Sequence, residues 1–300
     1  MSWEFLRTPD ERFASLPGWP YKPNYFSDLP GYEGMRMHYV DAGPRDADVT
    51  FLCLHGEPSW SYLYRKMIPQ FVSAGHRAIA PDWFGFGRSD KPTKDEDYTF
   101  KFHYDSALAF FERMDLNNVC LVVQDWGGLL GLLLPVAFPE RITRLLVMNT
   151  AIGTGRAAGP GFEKWKTLVA KHFDFDVGRT INRDVPTLAP EEIAAYDAPF
   201  PDGHYKAGVR RFPSLVPVTP EMDGVALGKR AVEYYRNTWS GPSFMAIGMR
   251  DIVLGPPAMR GLQRIIRGCD EVMEVPDAGH FVQEYGAPIA DAALKYFGLE

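Results

Sequence analysis

The chain of 300 residues is short of three things, and each shortage excludes something. It has no run approaching 18 uninterrupted apolar residues, and Met1 to Pro20 carries charges along its length. Neither a membrane-spanning helix nor an apolar signal core is predicted, and the protein is expected to be cytoplasmic. Positive charge is the second shortage: 32 Lys and Arg against 38 Asp and Glu leave a net charge of −6, with no basic stripe, so a nucleic-acid partner is excluded as a class. The third is cysteine. Only Cys53, Cys120 and Cys269 occur, without metal or redox spacing, and they read as small core residues. No metal-ligand cluster is visible, so neither a metal nor an organic cofactor is expected.

Apolar content, by contrast, is ample: 46% of residues are hydrophobic, enough for the core of one large α/β domain with an insertion. The most informative stretch is Val119 to Phe138. Val119 to Val123 is an unbroken apolar run of strand formers, too short for a helix, which is how a parallel strand covered on both faces reads. Gln124-Asp125-Trp126-Gly127-Gly128 follows, and then an apolar segment of helical character. Two glycines behind one acidic side chain permit the tight strand-to-helix turn that presents a nucleophile above a sheet. The usual form of that turn is Gly-x-Ser-x-Gly; here Val123 stands for the first glycine and Asp125 for the serine. Asp125 could equally be a helix cap, a common role for Asp at such a boundary.

Around that stretch, strands are expected at about Met35 to Val40, Val49 to Leu54, Arg77 to Ala80, Arg144 to Met148, Ser243 to Gly248 and Glu271 to Val275. Asp41-Ala42-Gly43-Pro44 reads as a hairpin-like break between the first two. Helices are expected from Ser61, over Thr99 to Asp115, and near Gly224 to Asn237, Ala258 to Ile266 and Pro288 to Phe297. Strand and helix in alternation imply a mostly parallel sheet with right-handed crossovers. The Gly-rich loop Pro81 to Asp90 lacks the Lys-Ser/Thr ending of a phosphate loop and reads as structural. Between Phe162 and Thr219 the texture changes to helical fragments broken by Pro186, Pro190, Pro199, Pro201, Pro213 and Pro217. The expected architecture is therefore a main domain of residues 1–150 and 221–300, with a helical cap of residues 151–220 inserted after the sixth strand, over the edge of the sheet where ligands bind.

Two further residues fall at strand ends. Asp251 follows the strand ending at Gly248, and His280 follows Val275 in the turn Asp277-Ala278-Gly279-His280. The order nucleophile, acid, histidine is that of the α/β-hydrolase triad. Taken singly, Asp251 could be a turn residue and His280 a solvent-facing one. His55-Gly56-Glu57-Pro58 ends an early strand, where the amide of Glu57 would join that of Trp126 as an oxyanion donor. A carboxylate nucleophile makes an ester, and only hydrolysis of that ester builds an oxyanion.

These motifs resemble the haloalkane dehalogenases of the α/β-hydrolase fold, in particular the subgroup with an Asp-His-Asp triad and paired tryptophans for the halide. The resemblance runs through Phe51 to Pro69, Ile79 to Pro92, Val122 to Gly128, Ala198 to Pro213, Phe244 to Met249 and Ala278 to Glu284. It implies Asp125 as nucleophile, His280 as base, Asp251 as its partner, and Trp126 with Trp165 as halide donors. An indole offers one N–H and no acceptor, in an apolar frame suited to a weakly hydrated anion. Phe162 and Leu129 would line the pocket. Leu129 stands where a bulkier aromatic can occur, and the segment from Asn149 to Phe162 looks short for the subgroup. The implied partners are a small haloalkane, water and the halide ion, and a monomer is expected.

Epoxide hydrolase chemistry is the nearest rival, with Tyr196, Tyr205, Tyr234 and Tyr235 as candidate phenols. Glu57, Gln124 and Trp165 argue against it. Trp126, where an arginine would follow the nucleophile, argues against a fluoroacetate-type dehalogenase. A non-catalytic receptor would have no need of a full triad.

Overall fold

The apolar runs become the middle of an eight-stranded sheet in the computed structural model, which describes residues 3–300. Its strands are β1 (Asn24–Phe26), β2 (Met37–Ala42), β3 (Thr50–Leu54), β4 (Arg77–Pro81), β5 (Val119–Val123), β6 (Ile142–Met148), β7 (Ser243–Gly248) and β8 (Val272–Val275). They lie in the order β8-β7-β6-β5-β3-β4-β2-β1. The six from β8 to β4 run parallel, and β2 and β1 close one edge in antiparallel fashion. Every residue of β3, β5 and β7 is buried, as strands covered by helices on both faces require.

The helices are α1 (Ile68–Ser73), α2 (Phe100–Arg113), α3 (Trp126–Gly131), α4 (Leu134–Ala137), α5 (Pro160–Ala170), α6 (Val177–Asp184), α7 (Pro190–Asp197), α8 (Ala207–Leu215), α9 (Val225–Asn237), α10 (Pro256–Gln263) and α11 (Gly286–Phe297). Thr99 caps α2 by accepting the amide of Phe102 at 3.0 Å, and the face of Ala107, Phe110 and Phe111 is buried. Phe71 of α1 stacks on Phe51 of β3 with ring centroids 4.0 Å apart, joining helix to sheet.

Two local expectations are corrected and one strand is added. The break at Asp41 to Pro44 does not turn a hairpin: β2 pairs with β4, Tyr39 opposite Pro81, because β3 needs parallel neighbours on both sides and takes β5 and β4. Gly43 sits there at φ +86°, and a Cβ on it would stand 2.3 Å from the His76 carbonyl oxygen at the entry to β4. The helix expected from Ser61 is a 3₁₀ turn over Ser61–Tyr64 followed by α1, whose first turn contains Pro69. Proline lacks the N–H that a continuous helix would need at that position and suits a fresh helix start. Finally, β1 was not expected from its Pro-rich, aromatic surroundings.

Helices α5 to α8 follow β6 and precede α9, with no strand among the described residues between them. The N-terminal segment straps this helical region to the sheet side. Phe5–Leu6 pairs with Lys91–Pro92, Arg7 forks onto Asp90 at 2.8 and 2.7 Å, and Thr8 and Arg12 donate to the carbonyls of Pro199 and Ala198. The Gly-rich loop is buried from Pro81 through Pro92. Asp82 within it accepts from Ser61, Arg88 and His38, a structural role. No described helix is long and apolar enough to cross a membrane.

Candidate active site

Asp125 stands one residue beyond β5 with φ 49° and ψ −123°, a strained backbone for a residue with a Cβ. The turn is held by its surroundings. Asp125 N–H donates to the Asn149 carbonyl at 3.0 Å, and Thr150 Oγ1 donates to the Asp125 carbonyl at 2.7 Å. Glycine is required behind it: a Cβ on Gly127 would lie 1.9 Å from the Leu54 carbonyl oxygen, and one on Gly128 2.1 Å from Thr150 Oγ1. The Asp125 carboxylate does not cap α3. Its Oδ1 instead accepts the main-chain N–H of Glu57 at 2.8 Å, and its Oδ2 lies 3.6 Å from His280 Nε2.

His280 and Asp251 meet at the same edge. His280 Nδ1 donates to Asp251 Oδ2 at 2.9 Å. The expectation of Asp251 as a turn residue also has substance, since its Oδ1 accepts from the amides of Val253 (2.7 Å) and Leu254 (3.1 Å). Asn149 Nδ2 donates to Asp251 Oδ2 at 2.9 Å. Burial opposes the charge on Asp251, but the neighbouring imidazole and these donors prevail and bring its pKa down to about 2. For His280, burial disfavours the cation, while Asp251 and Asp125 together raise its pKa well above the ordinary histidine value. Gln124 pulls the other way: its amide faces His280 Nε2 at 3.0 Å and donates to the His280 carbonyl at 3.1 Å, a setting that suits an unprotonated Nε2.

Glu57 links Asp125 to helix α5. Its amide serves Asp125 and its Oε2 accepts from the indole N–H of Trp165 at 3.2 Å. The other oxygen, Oε1, is buried without a partner. Burial first, and the charge of Asp125 second, raise the Glu57 pKa well above the usual carboxylate range, so the neutral acid is favoured. Trp165 is half-buried against Phe175, edge to face at 5.3 Å. Trp126 is buried, its ring 4.4 Å from that of Phe212 on α8. Phe162 is buried one turn before Trp165 on α5, and Leu129 is buried one turn after Trp126 on α3. Among the described residues no group of three or more His, Cys, Asp or Glu is placed to hold a metal ion.

Comparison with known proteins gives the family. A family model described as the alpha/beta hydrolase fold matches residues 49–287. The haloalkane dehalogenase of Psychrobacter cryohalolentis is 45% identical over 299 residues, covering 98% of each chain. The chain belongs to the haloalkane dehalogenase family. That of Mycolicibacterium paratuberculosis is 39% identical, covering 97% of each chain. Among solved structures, the haloalkane dehalogenase DpaA from Paraglaciecola agarilytica NO2 is 51% identical, with a TM-score of 0.96 over 97% of this chain and 98% of that one. DpaA is described as tetrameric, which leaves the expectation of a monomer without support.

Within this dehalogenase fold the structure brings Asp125, His280, Asp251 and Glu57 into direct contact, and joins Trp165 to them through Glu57. Sequence reasoning missed Asn149. It touches Asp125 through its carbonyl and Asp251 through its amide. The signal was available, because Asn149 follows β6 directly and β6 is the neighbour of β5 at the same edge. Gln124 was noted in the sequence without its contact to His280, and Phe212 was not singled out.

Proposed function

We propose that this dehalogenase hydrolyses small haloalkanes to a primary alcohol, a halide ion and a proton, through an alkyl ester on Asp125. One observation carries the reading: the Glu57 amide holds one oxygen of Asp125 while His280 Nε2 lies 3.6 Å from the other. That distance is beyond direct hydrogen bonding and suits a base that acts on a water beside the nucleophile. Asp125 Oδ2 attacks the halogen-bearing carbon, the carbon–halogen pair leaves with the halide, and no general base is needed. Water then attacks the ester carbonyl and gives its proton to His280. The amides of Glu57 and Trp126 hold the resulting oxyanion, and collapse releases the alcohol.

The electrostatics support this order. While Asp125 is charged, two carboxylates favour the imidazolium; once it is esterified, only Asp251 does, and the Gln124 amide favours a free Nε2. Alkylation itself therefore readies the base.

Trp126 and Trp165 are the halide donors in this reading. Trp165 must exchange its hydrogen bond to Glu57 for one to the halide. The exchange is modest, because the bond is long at 3.2 Å and the acceptor is a carboxyl whose neutral form is favoured. Residues 151–220 act as the cap over this edge, with Phe162 and Leu129 lining the pocket, and no metal or cofactor takes part. The kinship with tetrameric DpaA argues for self-association, which light scattering reads directly; the mass of a single chain would restore the monomer.

Epoxide hydrolysis loses two of its candidate phenols to other partners: Tyr196 bonds Glu284 and Arg65, and Tyr235 donates to the Leu132 carbonyl. The test is a side-by-side assay of halide release from a short bromoalkane and diol formation from a matching epoxide. Halide release should dominate. Diol formation without halide release would reverse the two readings.

A further inference from the structure

The histidine loop is gripped from the cap, and the residue that does so was not among the expected site residues. Asp184 is the last residue of α6. A negative charge at a helix C-terminus opposes the helix dipole, so this position has a local cost and nothing in α6 itself recommends it. Both of its oxygens are engaged by the main chain of the catalytic turn: Oδ1 accepts from His280 N–H at 3.1 Å, and Oδ2 accepts from Phe281 N–H at 3.0 Å. The preceding residue must be glycine for the carboxylate to come this close. A Cβ on Gly279 would stand 2.0 Å from Asp184 Oδ1.

A second cap contact holds the far end of the same segment. Glu284, four residues after His280, is buried and takes Arg65 on both oxygens at 2.5 and 2.8 Å. Arg65 also holds Glu192 of α7 at 2.6 Å, and Tyr196 of α7 bonds Glu284 directly. Residues 280–284 are therefore braced by α6 at one end and α7 at the other. The imidazole itself is oriented by Asp251 and Gln124, and the His280 carbonyl is held by Gln124 and the Val282 amide, but the amides of residues 280 and 281 are held by Asp184 alone.

We infer that Asp184 is a positioning residue that fixes the base against Asp125 and makes the position of His280 dependent on the cap being seated. The inference rests on His280 serving as base for ester hydrolysis. Its consequence is specific to one half-reaction. Formation of the ester requires Asp125 and a leaving group and does not involve His280, whereas hydrolysis requires His280 Nε2 in register with the attacking water. A misplacement of about 1 Å in a reacting group can cost on the order of 100-fold in rate.

The test uses rapid-quench turnover of a bromoalkane by the full-length protein and its Asp184→Ala and Asp184→Asn variants, with mass spectrometry of the quenched protein and thermal melts alongside. Asn keeps one acceptor and presents a donor to the other amide, so it should fall between wild type and Ala. The expected result is a retained burst of about one halide per site, with kcat lowered about 10- to 100-fold. The alkyl adduct should accumulate on the peptide bearing Asp125, and kcat/KM should change far less than kcat. Unchanged kcat in either folded variant, or kcat and kcat/KM falling together, would overturn the inference. So would loss of the folded state in both, since Asp184 would then serve the fold and not the base. An adduct that accumulates on a peptide other than the one bearing Asp125 would instead count against the assignment of Asp125, which keeps the two failures apart.

Discussion

The groups at the sheet edge and those on helices α5 to α8 are held in different ways. At the sheet edge the two carboxylates are held by groups just beyond the strand ends. Asp125 gives its amide to Asn149 and takes that of Glu57, while Asp251 is held by Asn149 and by two amides of its own turn. Asp125 and Asn149 follow the paired strands β5 and β6, so strand pairing sets their separation. Helices α5 to α8 reach the site by side chains alone: one indole hydrogen bond from Trp165, one carboxylate from Asp184, and Glu192 in an ionic cluster with Arg65. In the proposed mechanism one of these contacts, the Trp165 bond to Glu57, is exchanged as the halide forms. Asp125 and Asp251 thus belong to a frame set by the sheet, whereas α5 to α8 reach the site through single side-chain contacts.

The sharpest break of that contrast is made inside the frame. Asp251→Asn removes the charge that favours the imidazolium and one acceptor for Nδ1–H, and kcat should fall by roughly 10² to 10⁴. The pKa of His280 should drop, moving the rising limb of kcat to lower pH; a limb that stays in place would detach Asp251 from the base. The same substitution should alter acid stability. A carboxylate held at about 2 in the folded protein contributes stability above its ordinary 3.8 and loses it as pH falls through 2. The variant's stability should therefore be flatter over that window in urea titrations.

Next in size is the seam between the sheet side and α7. Arg65 is buried among Glu284, Glu192 and Tyr196, so Arg65→Met leaves buried Glu284 without its principal cation. Breaking a buried pair from one side costs about 3–5 kcal/mol. Denaturant unfolding measures it, and a loss under about 1 kcal/mol would show that Lys66, at 2.9 Å from Glu284, suffices. The smallest effect lies in the cap alone. Trp165→Phe keeps much of the apolar surface and removes the N–H, so chloride or bromide affinity, followed by quenching of the remaining tryptophans, should weaken about tenfold. Unchanged affinity would return Trp165 to a packing role.

The same contrast decides what was legible in the sequence. The unbroken apolar run of β5, the glycines after Asp125 and the strand-end positions of Asp251 and His280 are local signals of a topology that then fixes distances. The region of α5 to α8 offers no such rule. Its helices are expected from composition and proline spacing, but nothing in Asn182-Arg183-Asp184 announces that the carboxylate will take two amides nearly a hundred residues away. Trp165 was assigned by kinship, and that route gives its identity but not its bond to Glu57. The break after Ala42 was misread because a glycine and a proline mark a turn without stating which strand the chain will pair with next.

The central claim is that two half-reactions are divided between Asp125 and His280. It is tested most directly by mixing His280→Gln with a bromoalkane and weighing the protein. The account predicts release of about one halide per active site, then a stall, with the mass raised by one alkyl group that maps to the peptide bearing Asp125. An adduct on another peptide, or no halide burst in a folded variant that still binds substrate, would contradict it.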